Sequence, residues 1–298
     1  MKKLIIHIGY HKTGTTFLNR KFFPLHPEVC HLGKPYDSDS PIRDIVEQVT
    51  GIRKYNVLQC RALYDRHIKP IRHRKIVSIS DGRIVNNIID GDQKEIPERL
   101  LSMTNDVVII MVIRRQYDYL KSLYVQKVGA NNEKKSFNKW FDDNWTDGMQ
   151  VKKQLDYFDK IQAYSSVLGK DNVGVFIYEQ FLDNGKKFTK DLCNFIGLDC
   201  VDSKGELDNS ERLNQRMTTL HRFITTHMLL RYIAIIIRKI LSRKVKSLIS
   251  NLIFNYFNRF DPKLSSDRLR LLHEHAKVVN NKLIGEMSLD LHRYHYDT

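Results

Sequence analysis

Residues 5–18 read Ile5-Ile6-His7-Ile8-Gly9-Tyr10-His11-Lys12-Thr13-Gly14-Thr15-Thr16-Phe17-Leu18. An apolar run comes first, a turn with a glycine at each end follows, and a stretch compatible with a helix begins after the turn. The first N–H groups of a helix have no intrahelical partner and lie at the positive end of its dipole, so they can bind an anion. The sequence therefore predicts a strand, a phosphate-binding loop and a helix, in that order.

The position of the lysine separates this loop from the ATP-binding loop that it otherwise resembles. Gly9 and Gly14 are spaced like the glycines of G-x-x-x-x-G-K-S/T, but Thr15 stands where that motif has its lysine, and the lysine is Lys12. Kinases and ATPases need the later lysine on the β- and γ-phosphates. A nucleotide kinase of the same fold stays an alternative, and Thr15 argues against it.

Beyond the loop, the chain alternates short apolar runs with helical patterns. The predicted strands are residues 4–8, 75–79, 107–113 and 173–178. The predicted helices are residues 15–23, 96–103, 115–128, 151–168, 180–196 and 263–287. This alternation predicts the α/β class, with a P-loop-type parallel sheet flanked by helices. A length of 298 residues suits a single domain over residues 1–298.

The positive charge of the chain is concentrated in residues 212–260. This segment holds ten of the 49 Lys and Arg residues and none of the 34 Asp and Glu residues, and it is also rich in apolar clusters. We interpret it as a basic, apolar helical insertion near the C-terminus. It could be a packed insertion, a surface that lies on anionic lipid, or a binding site for an anionic polymer. Nucleic acid is not expected, because no recognition motif accompanies the charge.

The cysteines and the lengths of the apolar stretches indicate whether the protein binds a metal and where it is located. The four cysteines are scattered, and no Cys/His cluster has the spacing of a metal site, so no metal is predicted. No stretch of about 20 uncharged apolar residues occurs, and the first apolar run is too short for a signal peptide. We therefore expect a cytoplasmic protein, peripheral on the inner face of the membrane if residues 212–260 contact lipid.

The segment Lys12-Thr13-Gly14-Thr15-Thr16, placed after a short strand, resembles the 5′-phosphosulfate loop of the sulfotransferases that use 3′-phosphoadenosine-5′-phosphosulfate (PAPS). In that family the lysine, the hydroxyls and the backbone amides hold the phosphosulfate. The resemblance implies that Lys12 is the catalytic lysine and that the four residues after it line the loop. It also implies that the product is 3′-phosphoadenosine-5′-phosphate (PAP).

A second motif supports the same resemblance. The family has an arginine at the end of a strand and a serine eight residues later, and both bind the 3′-phosphate. Here Arg114 follows the apolar run 107–113, and Ser122 lies eight residues on. An arginine can offer a charge-assisted fork to phosphate. Arg115 and Lys121 lie nearby, so the choice of Arg114 rests on the family spacing.

The reaction also needs a general base near the acceptor. Asp81 is the first candidate, because it ends a predicted strand and sites in open α/β sheets lie at the carboxyl ends of strands. Asp81 could equally cap the next helix. His11, beside Lys12, is the second candidate. Glu179 is interpreted as structural.

The acceptor is indicated only by resemblance. Asn209-Ser210 and the segment 281–296 resemble bacterial carbohydrate sulfotransferases. This resemblance implies a hydroxyl or amine of a surface glycan, or of its lipid-linked precursor, as acceptor. A catalytically silent protein that binds membranes or anionic glycans through residues 212–260 stays a further alternative.

Overall fold

The computed structural model describes residues 3–37, 39–85, 94–131, 133–146, 149–200 and 260–298. Apart from its last residue, the basic segment 212–260 lies outside the described residues. The chain divides into two compact units. The first draws on Met1–Arg115, Gln150–Glu211 and Ala276–Thr298, and the second on Gln116–Met149 and Arg212–His275. The single domain over residues 1–298 stays a prediction.

The first unit is built on a five-stranded sheet in which all strands are parallel. The strands are β1 (Leu4–His7), β2 (Val29–His31), β3 (Ile76–Ser80), β4 (Val107–Ile113) and β5 (Val173–Ile177), in the spatial order β2-β3-β1-β4-β5. The sheet confirms the predicted α/β class, and four of its strands were predicted. The sequence analysis missed β2, because three residues are too few to show a pattern.

Helices surround the strands in the chain order that parallel crossovers require. They are α1 (Thr15–Phe17), α2 (Phe23–Leu25), α3 (Pro41–Val49), α4 (Val57–His67), α5 (Lys69–Arg72), α6 (Glu95–Met103), α7 (Gln116–Asn131), α8 (Phe137–Asn144), α9 (Gln150–Lys153), α10 (Tyr157–Leu168), α11 (Tyr178–Asp183), α12 (Gly185–Ile196) and α13 (Ser266–Met287). A π-helical turn, Leu18–Phe22, joins α1 to α2. Short 3₁₀ turns occupy Lys170–Asn172 and His292–Tyr294.

Two predicted helices are each divided in the structure. The predicted helix 151–168 consists of α9 and α10, and the predicted helix 180–196 consists of α11 and α12. The second break has a clear cause. The side chain of Asn184 accepts a hydrogen bond from the backbone N–H of Lys187 at 2.9 Å, so it caps the start of α12. Asparagine is among the strongest N-cap residues, and the apolar pattern alone does not reveal it.

The core of the first unit lies along the sheet. Every residue of β4 is buried, as expected of a central strand covered on both faces. On one face, Phe22 and Phe23 from the helical stretch after β1 join Phe176 of β5 and Phe188 of α12 in a single apolar cluster. The helical stretch after the loop is therefore fixed by its own aromatic side chains.

The second unit has its own aromatic cluster. The ring of Tyr124 in α7 packs on Phe137 and Trp140 of α8, with centroid distances of 4.8 and 5.6 Å, and on Phe260 at 6.2 Å. None of the helices among the described residues is both long enough and apolar enough to cross a membrane.

Candidate active site

The loop after β1 is closed by its own side chains. The hydroxyls of Thr13 and Thr15 both donate to the carbonyl of Tyr10, at 2.7 and 3.0 Å. Lys12 has φ 66° and Gly14 has φ 81°, so both lie in the left-handed region. A lysine in this region is uncommon and costs of order 1–3 kcal/mol. The loop therefore holds Lys12 in a conformation that an unconstrained chain would avoid.

The helix after the loop begins without a capping side chain. Gly14 is the N-cap of α1, and no side-chain hydrogen bond caps this terminus. The carbonyl of Gly14 accepts from the N–H of Phe17 at 2.9 Å, so the first turn is regular. The amides of Thr15 and Thr16 lie ahead of that first bond, where an anion would complete the helix terminus.

Arg114 reaches from the end of β4 back to this loop. Its Nη1 donates to the carbonyl of Lys12 at 2.9 Å, and its guanidinium lies 4.8 Å from the ring centroid of Tyr178. Its Nε is buried and has no hydrogen-bond partner among the described residues. A buried donor without a partner is costly, so this nitrogen fits a site for an anionic ligand.

The two cations, Lys12 and Arg114, are close enough to affect each other. Burial lowers the pKa of Lys12, and the charge of Arg114 lowers it further. Within the described part of the chain, neither side chain forms an ion pair with a carboxylate inside 4.0 Å. Two neighbouring cations without such a partner favour the binding of a strongly anionic group.

Tyr178, the first residue after β5, completes this edge of the site. A β-carbon placed on Gly14 would lie 3.6 Å from the Tyr178 ring, in ordinary contact. The ring therefore packs against the loop on one side and under Arg114 on the other. The carboxyl ends of β1, β4 and β5 thus contribute to one cluster, as expected for a parallel sheet. The sequence analysis did not assign Tyr178 to the site.

Asp81 follows β3 and is fully buried. Its carboxylate accepts from Arg83 Nη2 at 2.7 Å and from the Lys34 ammonium at 2.9 Å. Burial alone would raise the pKa of this carboxyl, but the hydrogen bonds from Arg83 and the charge of Lys34 outweigh it and hold the pKa below its ordinary value. The carboxylate is therefore ionised and already shared between two cations.

His11 lies between the lysine loop and the end of β3. A β-carbon placed on Gly82 would come within 3.1 Å of both His11 Cε1 and the carbonyl oxygen of Gly9. The His11 side chain is exposed, whereas Asp81 is not. Lys12, His11, Asp81 and Arg114 thus lie in the first unit, at the carboxyl ends of three neighbouring strands.

Ser122 differs from the other predicted site residues, because it belongs to the second unit. It is a half-buried residue in the second turn of α7. Its role beside Arg114 stays a prediction. The sequence analysis also missed Lys34 and Arg83, the partners of Asp81. Lys34 follows the short strand β2, so missing that strand removed the one signal that pointed to it.

This geometry agrees with the result of comparing the chain with known proteins. The sequence profile of the sulfotransferase domain matches residues 2–217. The chain belongs to the sulfotransferase domain family. It is a PAPS-dependent sulfotransferase domain. No curated protein sequence matches this sulfotransferase.

Solved structures of other sulfotransferases are similar to this one. A sulfotransferase from Alicyclobacillus acidocaldarius aligns with a TM-score of 0.60 and 14% sequence identity, and the alignment covers 99% of this chain and 98% of that chain. At this identity the likeness shows a shared fold. Mouse sulfotransferase SULT7A1, complexed with PAP, has a TM-score of 0.42 and 15% identity over 68% of this chain and 62% of that chain. The sulfotransferase domain of a Synechococcus PCC 7002 olefin synthase has a TM-score of 0.43 and 12% identity over 67% and 74%.

Among the residues that the structure describes, no group of three His, Cys, Asp or Glu side chains is placed to hold a metal ion. The positive charge beside the loop comes from Lys12, which lies on it, and from Arg114, which reaches it from the end of β4.

Proposed function

We propose that this chain transfers a sulfuryl group from PAPS to a hydroxyl or amine of a glycan or of its lipid-linked precursor. The observation that carries the proposal is the pairing of Lys12 with Arg114 around the loop after β1. The loop and the amides of Thr15 and Thr16 would hold the 5′-phosphosulfate. Arg114, together with Ser122, would hold the 3′-phosphate.

The chemistry follows from the charges. The acceptor oxygen or nitrogen attacks sulfur, a new bond to sulfur forms, and the bond between sulfur and the bridging phosphate oxygen breaks. Negative charge then grows on that phosphate oxygen, where the Lys12 ammonium and the amides at the helix terminus stabilise it. The acceptor gives its proton to a general base, and PAP leaves with the phosphate oxygen.

Two side chains are candidates for the general base. Asp81 is ionised, but its carboxylate is fully buried and engaged by Arg83 and Lys34. A base must come within hydrogen-bond reach of the acceptor. His11 is exposed beside it, so this difference favours His11 for direct proton transfer and Asp81 for holding Lys34 and Arg83 in place.

The glycan and membrane parts of the proposal come from the sequence. Segment 281–296 resembles bacterial carbohydrate sulfotransferases, and residues 212–260 combine ten cations with apolar clusters. A lipid-linked acceptor at the cytoplasmic face of a membrane would account for both features.

Turnover of labelled PAPS tests the proposal. The purified protein is incubated with PAPS in EDTA and with a panel of glycans, lipid-linked glycans and small alcohols and amines. We expect metal-independent sulfation of at least one carbohydrate acceptor. Phosphoryl transfer from ATP with Mg²⁺, without sulfation, would support the kinase alternative. Binding of glycans or vesicles without any PAPS hydrolysis or transfer would support the binding-protein alternative.

A further inference from the structure

One peptide group in the site is held at both of its polar atoms by side chains. It is the peptide that joins Arg114 to Arg115, directly after β4. The hydroxyl of Tyr157, the first residue of α10, donates to the carbonyl of Arg114 at 2.9 Å. The N–H of Arg115 donates to Oε1 of Glu179 in α11 at 3.2 Å. One helix before β5 and one helix after it thus fix the orientation of one peptide plane.

Glu179 is itself held by the last segment of the chain. The hydroxyl of Tyr296 donates to Oε2 of Glu179 at 2.8 Å, and both side chains are buried. Burial raises the pKa of Glu179, and the bonds from Tyr296 and the Arg115 N–H oppose that shift. Each carboxylate oxygen of Glu179 therefore has its own donor: the backbone N–H of Arg115 for Oε1 and the hydroxyl of Tyr296 for Oε2.

The segment that carries Tyr296 belongs to the first unit and is anchored within it. The side-chain amide of Asn280 in α13 donates to the carbonyl of Asp297 at 2.7 Å. Leu291 is completely buried. Tyr296 thus reaches Glu179 from an anchored backbone, so its hydroxyl can fix the carboxylate with little further loss of conformational entropy.

The held peptide carries the arginine that would read the 3′-phosphate. Rotation of the Arg114–Arg115 peptide would move the Arg114 side chain away from Lys12 and from the Tyr178 ring. Tyr178 precedes Glu179, so the same helix start supplies the ring under Arg114 and the carboxylate that fixes its peptide. Small displacements of a positioning group can cost large factors in binding or rate.

We infer that Tyr157, Glu179 and Tyr296 form a positioning clamp that aims Arg114 at the 3′-phosphate of the nucleotide. The inference rests on the proposed function. The clamp residues would act through Arg114 and would not themselves contact the nucleotide or the acceptor. They would therefore set how strongly the enzyme prefers a nucleotide that carries a 3′-phosphate over one that lacks it.

The test measures that preference by titration calorimetry with two ligands, PAP and adenosine 5′-phosphate. We expect Tyr296→Phe and Tyr157→Phe each to weaken PAP binding about five- to tenfold, because each loses one hydrogen bond. Affinity for adenosine 5′-phosphate should change less than twofold. Arg114→Ala serves as the reference for complete loss of the preference for PAP over adenosine 5′-phosphate. Tyr294→Phe removes a hydroxyl from the same segment, two residues from Tyr296, and should match the wild type.

The outcomes separate the clamp from the function on which it rests. Equal weakening of both ligands in the two phenylalanine variants, with a lower melting temperature, would mean that the hydroxyls only support the fold and would overturn the clamp. Unchanged PAP affinity in both variants would overturn it as well. If the wild-type protein binds PAP no better than adenosine 5′-phosphate, the proposed 3′-phosphate site fails first.

Discussion

At the scale of single residues, Lys12 is the side chain on which the proposed chemistry depends. Its backbone lies in the left-handed region and its carbonyl is bonded to Arg114, so the loop fixes its place independently of any ligand. This conformation costs about 1–3 kcal/mol, and backbone strain of this kind is concentrated at functional sites. It is consistent with a side chain placed for function.

Lys12→Ala should lower turnover of PAPS by about 10²- to 10³-fold, while affinity for PAP falls much less. The reason is that Lys12 acts on charge that grows in the transition state. Steady-state kinetics and PAP titration measure the two effects separately. The exposed Lys69, which pairs with Asp65, provides a control; Lys69→Ala should leave both values within twofold. Turnover equal to the wild type in Lys12→Ala would contradict the role given to this lysine.

His7 makes a different prediction, about stability. Burial, with a smaller contribution from the charge of His31, lowers the pKa of His7 to about 3, whereas an unfolded chain has a histidine pKa of about 6.5. Between these values the unfolded state binds a proton that the folded state does not. The contribution of His7 to the free energy of unfolding is therefore fully present above about pH 6.5. It declines as the pH falls toward 3, by up to about 1.4 kcal/mol per pH unit.

Urea unfolding at pH 7 and pH 5 tests this prediction. His7→Asn should lose part of the stability at pH 7, because the bond to Ser80 at 2.6 Å is altered, but its stability should depend less on pH than that of the wild type. His73 is exposed, so the free energy of unfolding of His73→Asn should change with pH as steeply as that of the wild type. An unchanged slope in His7→Asn would show that other groups cause the pH dependence.

At the scale of elements, the long apolar strands and the loop were predictable, and the short connections were not. A buried parallel strand such as β4 is a continuous apolar run, and the glycines and lysine of the loop have a fixed order. Val29–His31 has no such signal. This short segment becomes a strand because it pairs with β3, which is distant in the sequence. The same gap hid Lys34, which follows β2 and neutralises Asp81.

The clamp on Arg114 was equally beyond sequence reasoning. Glu179 was correctly placed after a strand, yet its partners lie 64 and 117 residues away along the chain. Nothing in the local sequence pairs Tyr296 with Glu179. Such contacts depend on how crossovers pack, and a single sequence carries no information about that packing beyond the apolar faces.

Packing between β5 and α12 gives the prediction at this scale. A β-carbon on Gly174 would lie 2.7 Å from Cδ1 of Phe195, inside normal contact distance. Phe195 also packs on Phe176 with a centroid distance of 5.8 Å, so moving its ring aside would disturb that contact. Gly174→Ala should lower the free energy of unfolding by about 1–3 kcal/mol, measured by urea denaturation.

A second glycine provides the matched control. Gly285 lies in α13, and a β-carbon there would meet nothing within 4 Å. Gly285→Ala should therefore raise stability, by up to about 1 kcal/mol, because alanine is the better helix former. Equal stability of the two alanine variants would mean that the contact with Phe195 does not restrict residue 174.

At the scale of the whole molecule, the charge distribution predicts attraction to anionic membranes. Residues 212–260 hold ten cations, no acids and several apolar clusters. Each basic residue near an anionic surface contributes about 1 kcal/mol, and the attraction decays within a Debye length. Liposome sedimentation should show binding that requires anionic lipid and that weakens with salt without vanishing, because apolar insertion is not screened.

A charge-neutralised variant completes that experiment. Substitution of Arg238, Lys239, Arg243 and Lys244 by glutamine should abolish most of the binding at low salt while PAP affinity stays unchanged. If the intact protein does not bind anionic liposomes at low salt, the membrane prediction is wrong, and residues 212–260 are a packed insertion or an acceptor site instead.

The bond between Tyr296 and Glu179 also has a consequence for the time at which the enzyme becomes competent. The two residues are 117 positions apart in the chain. At a synthesis rate of about 5–20 residues per second, roughly 6 to 23 s pass between the synthesis of Glu179 and that of Tyr296. If the clamp sets the preference for a 3′-phosphate, the nascent chain recognises the nucleotide weakly during this interval. A polypeptide released early, or shortened by a protease before residue 296, would lack this bond and would distinguish its donor less well from the many other adenine nucleotides in a cell.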